Sequence, residues 1–439
     1  MLRISTLSIV LGAAAFAAST GSTPVTFHKD VQPILQKNCD ACHRPGEAAP
    51  MSLLDYKEAR PWAKAIKTAV AVKKMPPWYA DPHYGQFSNE RRLSENDIRT
   101  LVAWAENGAP EGNPNDAPPP PKFVEGWQIA KPDQVFEMPA AFEVPASGTI
   151  EYQYLVIPTG FTRDTWVQEA EVRPGNRQVV HHVIAFIRPP GSKWLKDAKP
   201  GVPFVPEKQA RARRSGNSDG EGSMAGIELL VGYAPGLPEQ KFKPGQGRLV
   251  PAGSDIVFQL HYTANGKPGT DQTKIGLVYC PQEPKQRIVT LTATNARFAI
   301  PAGDPNYEVT SQFTLQDQSE LVWLMPHMHL RGKDFEYRAV YPTGETQVLL
   351  RVPKYDFNWQ LAYETAQPVT LPKGTRIECT AHFDNSPNNA ANPDPSKVVK
   401  WGDQSWEEMM IGWFGVAIDA KADPVKLFVG DKKPTRSSD

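Results

Sequence analysis

Five prolines fall between Asn113 and Lys122, at Pro114, Pro118, Pro119, Pro120 and Pro121, and the periodicity of apolar residues differs on the two sides of them. A stretch with so many fixed φ angles and missing N–H donors makes a stiff connector rather than a folded element, so 114–122 is read as a linker. Before it, Val31, Ile34 and Leu35 lie one turn apart, and Ile98, Leu101, Val102 and Ala105 repeat at the spacing of an amphipathic helix. Ser94 followed by Asp97 reads as the cap of that second helix. After the linker, short alternating runs such as Ile256–Tyr262, separated by turn residues, predict strands. Proline fills 43 of the 439 positions, about twice the usual share, which disfavours long helices and suits short-stranded β structure. The region from 123 to 429 is long enough for two sandwich-like all-β domains, 123–283 and 284–429, followed by a tail, 430–439. The 48 Lys and Arg are balanced by 48 Asp and Glu, leaving no basic field to hold nucleic acid or an anionic membrane.

Residues 1–20 have the layout of a secretory signal: a positive residue at Arg3, an apolar run from Leu7 to Ala18, and small residues in Ala15-Phe16-Ala17. The run is too short to span a bilayer, no other stretch is long and apolar enough, and the first cysteine, Cys39, is remote from the cleavage site. The expectation is an exported protein, periplasmic or secreted, with no membrane anchor. In such a compartment thiols end up bridged or in a cofactor. Cys39-Asp40-Ala41-Cys42-His43 has the C-x-x-C-H spacing that attaches one covalent haem c, two thiols for the vinyl groups and His43 as first axial ligand. With a helix before the motif and a closing helix after it, 23–113 looks like a small all-α class I cytochrome c domain. Met75, between lysine and two prolines, is the favoured second axial ligand; His83 is the competitor, and Met51 reads as packing. Cys280 and Cys379 are left, and whether they pair stays open.

Histidines in the β region fall into two sets. His181 and His182 are adjacent, with a lone His261 well downstream; His327 and His329 form a His-x-His pair, and Met409 follows at nearly the same separation. Residues i and i+2 on a strand share a face, so His327 and His329 can chelate one ion. Adjacent His181 and His182 can do so only at a bulge or strand end. Three imidazoles suit copper, zinc or iron, whereas two imidazoles and a thioether favour copper. Either Met409 or its neighbour Met410 could supply that thioether. His28 and His382 read as structural or surface histidines, and Arg211–Gly216 as a solvated loop.

Val180-His181-His182-Val183, Gln259-Leu260-His261-Tyr262, His327-Met328-His329 and Glu408-Met409-Met410, in that order, resemble the copper type II, ascorbate-dependent monooxygenases, which include the peptidylglycine hydroxylating enzyme and dopamine β-hydroxylase. The resemblance spans roughly 123–429. It implies two jelly-roll-like β domains facing each other across a cleft. It also implies an electron-storing copper on His181, His182 and His261, and a dioxygen-binding copper on His327, His329 and Met409. Met409 rather than Met410 follows from the family's acidic-acidic-Met lead-in, matched by Glu407-Glu408-Met409. The positions of the peptide-carboxylate clamp hold Met325, Ile411 and Trp413, so amidation of a peptide is not expected. The function implied is hydroxylation of a C–H bond in a small-molecule substrate with dioxygen, electrons arriving through the fused haem from ascorbate or another redox protein. A non-catalytic copper-binding or electron-transfer protein, or a zinc hydrolase on the three-His set, are the alternatives.

Overall fold

The computed structural model of the chain describes residues 24–428 apart from 48, 207–226, 235–236, 238 and 403. The expected secretory segment 1–20, the Arg211–Gly216 loop and the tail 430–439 lie outside the described residues. No helix among the described residues is long and apolar enough to cross a membrane.

The expected all-α class I cytochrome domain is not what the chain builds. The architecture is mostly β-sheet, with short helices at one end: α1 (Gln32–Asn38), α2 (Tyr56–Ala59), α3 (Ala63–Ala71) and α4 (Glu95–Glu106). They surround a small core of Phe27, Val31, Leu35, Leu101 and Trp104, and the Ser94 side chain caps α4 by accepting from the Asp97 N–H at 3.1 Å. Pro76 and Pro77 stop any continuation of α3. The next residues leave this core altogether: Trp78, Ala80 and Phe87 join the core of the second β unit, where the Trp78 ring meets Tyr363 at 4.8 Å between centroids. Two large rings gain more from that extensive core than from the small helical one. Backbone bonds from Ser88 N–H to Glu364 O and from Ala366 N–H to Gln86 O fix the segment there. The linker also lies against the helices, with Gln36 donating to Pro119 O at 3.3 Å and Arg44 stacked over Phe123 at 4.1 Å.

The strands in chain order are β1 (Gln134–Glu137), β2 (Phe142–Val144), β3 (Gln153–Pro158), β4 (Thr165–Arg173), β5 (Val180–Arg188), β6 (Glu228–Tyr233), β7 (Gln240–Lys241), β8 (Gln246–Val250), β9 (Asp255–Tyr262), β10 (Gly269–Asp271) and β11 (Lys274–Tyr279). The second unit continues with β12 (Gln286–Thr294), β13 (Ala299–Ile300), β14 (Tyr307–Thr314), β15 (Ser319–His327), β16 (Gly332–Val340), β17 (Thr346–Val352), β18 (Tyr363–Leu371), β19 (Arg376–Phe383), β20 (Val399–Lys400) and β21 (Ile411–Asp419). One unit packs β3-β9-β5-β6 on β1-β11-β4-β8; the other packs β14-β19-β16-β17 on β12-β21-β15-β18. Setting aside the short strands, both units order their strands first-eighth-third-sixth in one layer and second-seventh-fourth-fifth in the other. That is a jelly-roll-like sandwich built twice.

The two units are fused rather than merely tethered. β8 and β12 pair in parallel through Gln246↔Gln286 and Gly247↔Arg287, which joins one layer of each unit into a single nine-stranded sheet that includes β7. Buried polar contacts cross the seam: Arg287 to Glu228 at 2.5 Å, Arg248 to Thr290 Oγ1 at 3.0 Å, and Gln246 to Gln286 at 2.9 Å. Cys280 sits at this seam, its Sγ 2.7 Å from where a Cβ on Gly247 would be, while Cys379 is buried in the second core; both are free thiols, so the pairing left open by the sequence does not form.

Candidate metal centre

β5 pairs with β9 through Val180↔Tyr262 and His182↔His261, which leaves His181 as an extra residue in a β-bulge. The bulge is the distortion that adjacent ligands require. It brings His181, His182 and His261 together with one ring nitrogen of each within 4.8 Å of the others. Among the described residues this is the only such group of three His, Cys, Asp or Glu. The His181 and His182 Nδ1 atoms lie 3.1 Å apart, and the buried His261 Nδ1 has no hydrogen-bond partner. Burial, then the neighbouring His181, pushes His261 down to about 3. Burial likewise lowers His181 and, further, His182. Three neutral imidazoles, each with a ring nitrogen within 4.8 Å of the others, are suited to a soft or borderline cation. Asp271 supports the site from behind: it is buried, accepts from Gly175 and Asn176 N–H ahead of the pair, and accepts from Tyr262 OH beside His261 at 3.0 Å.

The second set uses opposite nitrogens. His327 ends β15, and its Nδ1 faces Gln360 Oε1 at 2.9 Å; Gln360 Nε2 must be the atom donating to Phe357 O at 2.9 Å, so Oε1 accepts and His327 Nδ1 carries the proton. His329 Nδ1 faces Glu407 O at 3.2 Å and is likewise the donor. Both rings, 5.2 Å apart, therefore offer Nε2 to an ion. The turn that begins at His329 is pinned by the buried Glu408 carboxyl, which accepts from the N–H groups of His329 at 2.8 Å and Arg331 at 2.6 Å. Burial raises that carboxyl to about 8, against the pull of those two bonds. Of the two candidate thioethers, Met410 is fully buried in the second core, whereas Met409 is half-buried. Met409 lies two residues before Ile411, which pairs with His327.

The similar sequence spacings do not reflect equivalent places. The first set lies on the fourth and seventh main strands of its unit, in one layer; the second lies at the end of the third strand and ahead of the eighth, in the other layer. The sets nonetheless meet. Phe357 stands between them, stacked on His181 at 5.4 Å and edge-on to His329 at 5.8 Å. A cavity of about 570 Å³ opens here, lined by His181, His261, Leu330, Phe357 and Trp406 among others. Phe357, Gln360 and Asp271 escape sequence reading because each acts across loops or strands with no motif of its own, and Glu408 shows there only as part of the lead-in to Met409.

In the haem-type motif, Cys39 ends α1 and a turn carries the chain through Cys42 to His43, whose N–H donates to Cys39 O at 2.9 Å. His43 Nδ1 donates to Met51 O at 3.3 Å, which leaves Nε2 free for iron, and burial lowers the ring so that it is neutral. Burial, then Asp40, pushes the Cys39 thiol up to about 12, and burial raises Cys42. Two free protonated thiols and one imidazole nitrogen on a single turn fit covalent haem attachment. Met51 packs on the helical core. Met75 is half-buried where α3 gives way to the prolines, while His83 is 82% exposed and bonded to Asp81 at 2.7 Å. His28 bonds Gln32, and His382 bonds Asp334 at 2.7 Å on β19, both as structural histidines.

No family model matches the chain, and no curated protein does. Among solved structures, the infectious bursal disease virus Gt strain shares 9% identity, with 69% of this chain and 75% of that one covered, at a TM-score of 0.19. The STIV MCP crystal structure shares 9% over 65% of this chain and 94% of that one, at 0.26. Superpositions this slight carry no argument about the chain.

Proposed function

We propose that the protein is an exported copper-dependent monooxygenase that hydroxylates a C–H bond of a small-molecule substrate, with electrons delivered through haem c. The observation that carries this reading is that two chemically different histidine sets, one from each β unit, meet at Phe357, beside a cavity lined by His181 and His261 of the first set. His181, His182 and His261 would hold an electron-storing copper through Nδ1; His327, His329 and the Met409 thioether would hold the dioxygen-side copper, the histidines through Nε2. Bound copper would supply one-electron redox chemistry and a place for dioxygen. The overall reaction takes a C–H bond, dioxygen, two electrons and two protons to an alcohol and water. Cys39 and Cys42 would attach the haem, with His43 and Met75 as axial ligands and ascorbate or another redox protein as donor.

The haem-type loop lies against the first β unit, where Arg177 pairs with Glu47, four residues ahead of His181. That placement suits the three-His set as the entry point for electrons. A non-catalytic electron carrier would have no use for a cavity of this size. A zinc hydrolase would want a carboxylate base on its wall, and none of the described lining residues is Asp or Glu.

Metal analysis of the purified holoprotein should give two coppers per haem; none would remove the reading. Reduced haem should reoxidise at least tenfold faster in air when copper is loaded, and His329→Ala should abolish substrate-dependent oxygen uptake while leaving the haem spectrum intact. Equal reoxidation rates with and without copper would refute the coupling.

A further inference from the structure

We infer that the cavity beside the three-histidine set, with Phe357 on its wall, takes an uncharged, planar, largely apolar substrate. The inference rests on the monooxygenase reading and adds to it the chemical class of the molecule. Apart from His181 and His261, none of the described lining residues is Asp, Glu, Lys or Arg: Ile150, Leu330, Phe357 and Trp406 supply apolar surface, and several Ser, Thr, Asn and Gln side chains, Thr149 and Asn358 among them, supply neutral hydrogen-bonding groups. At about 570 Å³ the space has the size of an ordinary small-molecule pocket.

Charge on the substrate would be penalised in either sign. An ammonium group would lose its hydration with no described carboxylate on the wall to replace it, beside two sites meant for cations. A carboxylate would lose its hydration with no Lys or Arg among the described lining residues to replace it. The buried Arg331 is not a substitute, since its guanidinium is taken by Asn385 Oδ1 and Trp406 O, both at 2.8 Å. The second bond holds the Trp406 carbonyl, while the residue as a whole is 47% exposed. With Phe357, one face of which is stacked on His181, Trp406 supplies aromatic surface for a flat ligand.

The test is calorimetric binding to the copper-loaded holoprotein under argon, so that no turnover occurs. The probes share one phenyl ring: neutral 2-phenylethanol, cationic 2-phenylethylamine and anionic 3-phenylpropionate. The neutral probe should bind at least tenfold more tightly than either charged one, and Trp406→Ala should weaken it about tenfold. Thr149→Asp, a change at an exposed wall position, should shift preference at least tenfold toward the amine. Equal or tighter binding of a charged probe to the native protein, or no change in Trp406→Ala, overturns the inference. Because binding is read without oxygen, selective neutral binding with no hydroxylation would sink the proposed function and leave this inference standing.

Discussion

The metal-free protein should lose roughly 5 °C of melting temperature between pH 7 and pH 5. Burial lowers all five histidines of the two sets, His181, His182, His261, His327 and His329, with His261 at about 3. In the unfolded chain each takes up its proton near pH 6.5. The unfolded state therefore binds more protons than the native state below that point, and stability falls as pH falls. The contribution is complete above pH 6.5 and declines by about 1.4 kcal/mol per pH unit for each histidine still neutral in the fold. Two or three such groups remove on the order of 5 kcal/mol at pH 5, comparable with the whole stability of many proteins. A divalent ion bound to the same nitrogens competes with protons, so copper loading should blunt the fall. His261→Asn should flatten the slope; an identical slope in that variant would show that other groups are responsible.

The second large effect concerns the seam. Glu228→Ala should cost about 3–5 kcal/mol, because it strands the buried Arg287 guanidinium at the junction of the two units. Arg248, equally buried beside them, is pushed down to about 10 by burial, and the Glu228 carboxylate is the charge that opposes that shift. Removing both partners in Glu228→Ala with Arg287→Met should recover most of the loss, since no charge is then left unpaired. Urea unfolding of the native chain, the two single variants and the double variant measures this. A cost below about 1 kcal/mol for Glu228→Ala would mean that water reaches Arg287. The seam matters for the proposed chemistry because it sets β5 and β15, and with them the two histidine sets, on opposite sides of Phe357.

Local chemistry made part of this legible in the sequence. Ser94 caps its helix, alternation in Ile256–Tyr262 becomes a strand, and the adjacent His181 and His182 demanded a bulge that β5 supplies. What stayed hidden depends on contacts far apart in the chain. Trp78 and Phe87 carry no periodicity to announce that they complete a core built from the C-terminal half of the chain. The parallel pairing of Gln246 with Gln286 spans only two residues, too short for any pattern, yet it converts two expected domains into one sheet. The nearly equal separations of His182 from His261 and of His329 from Met409 suggested a repeat of the ligand plan, whereas the strand order repeats and the ligand positions do not.

The docking of residues 86–88 has a further consequence. β18 is the last strand of the nine-stranded sheet, and its outer edge would otherwise offer unpaired N–H and C=O groups to any passing chain. The Phe87↔Thr365 bridge, with the flanking bonds from Ser88 and to Gln86, occupies that edge. The segment that links the C-x-x-C-H turn to α4 thus also works as a guard against edge-to-edge aggregation, and a chain trimmed to its β units would gain a sticky border along with losing that N-terminal motif.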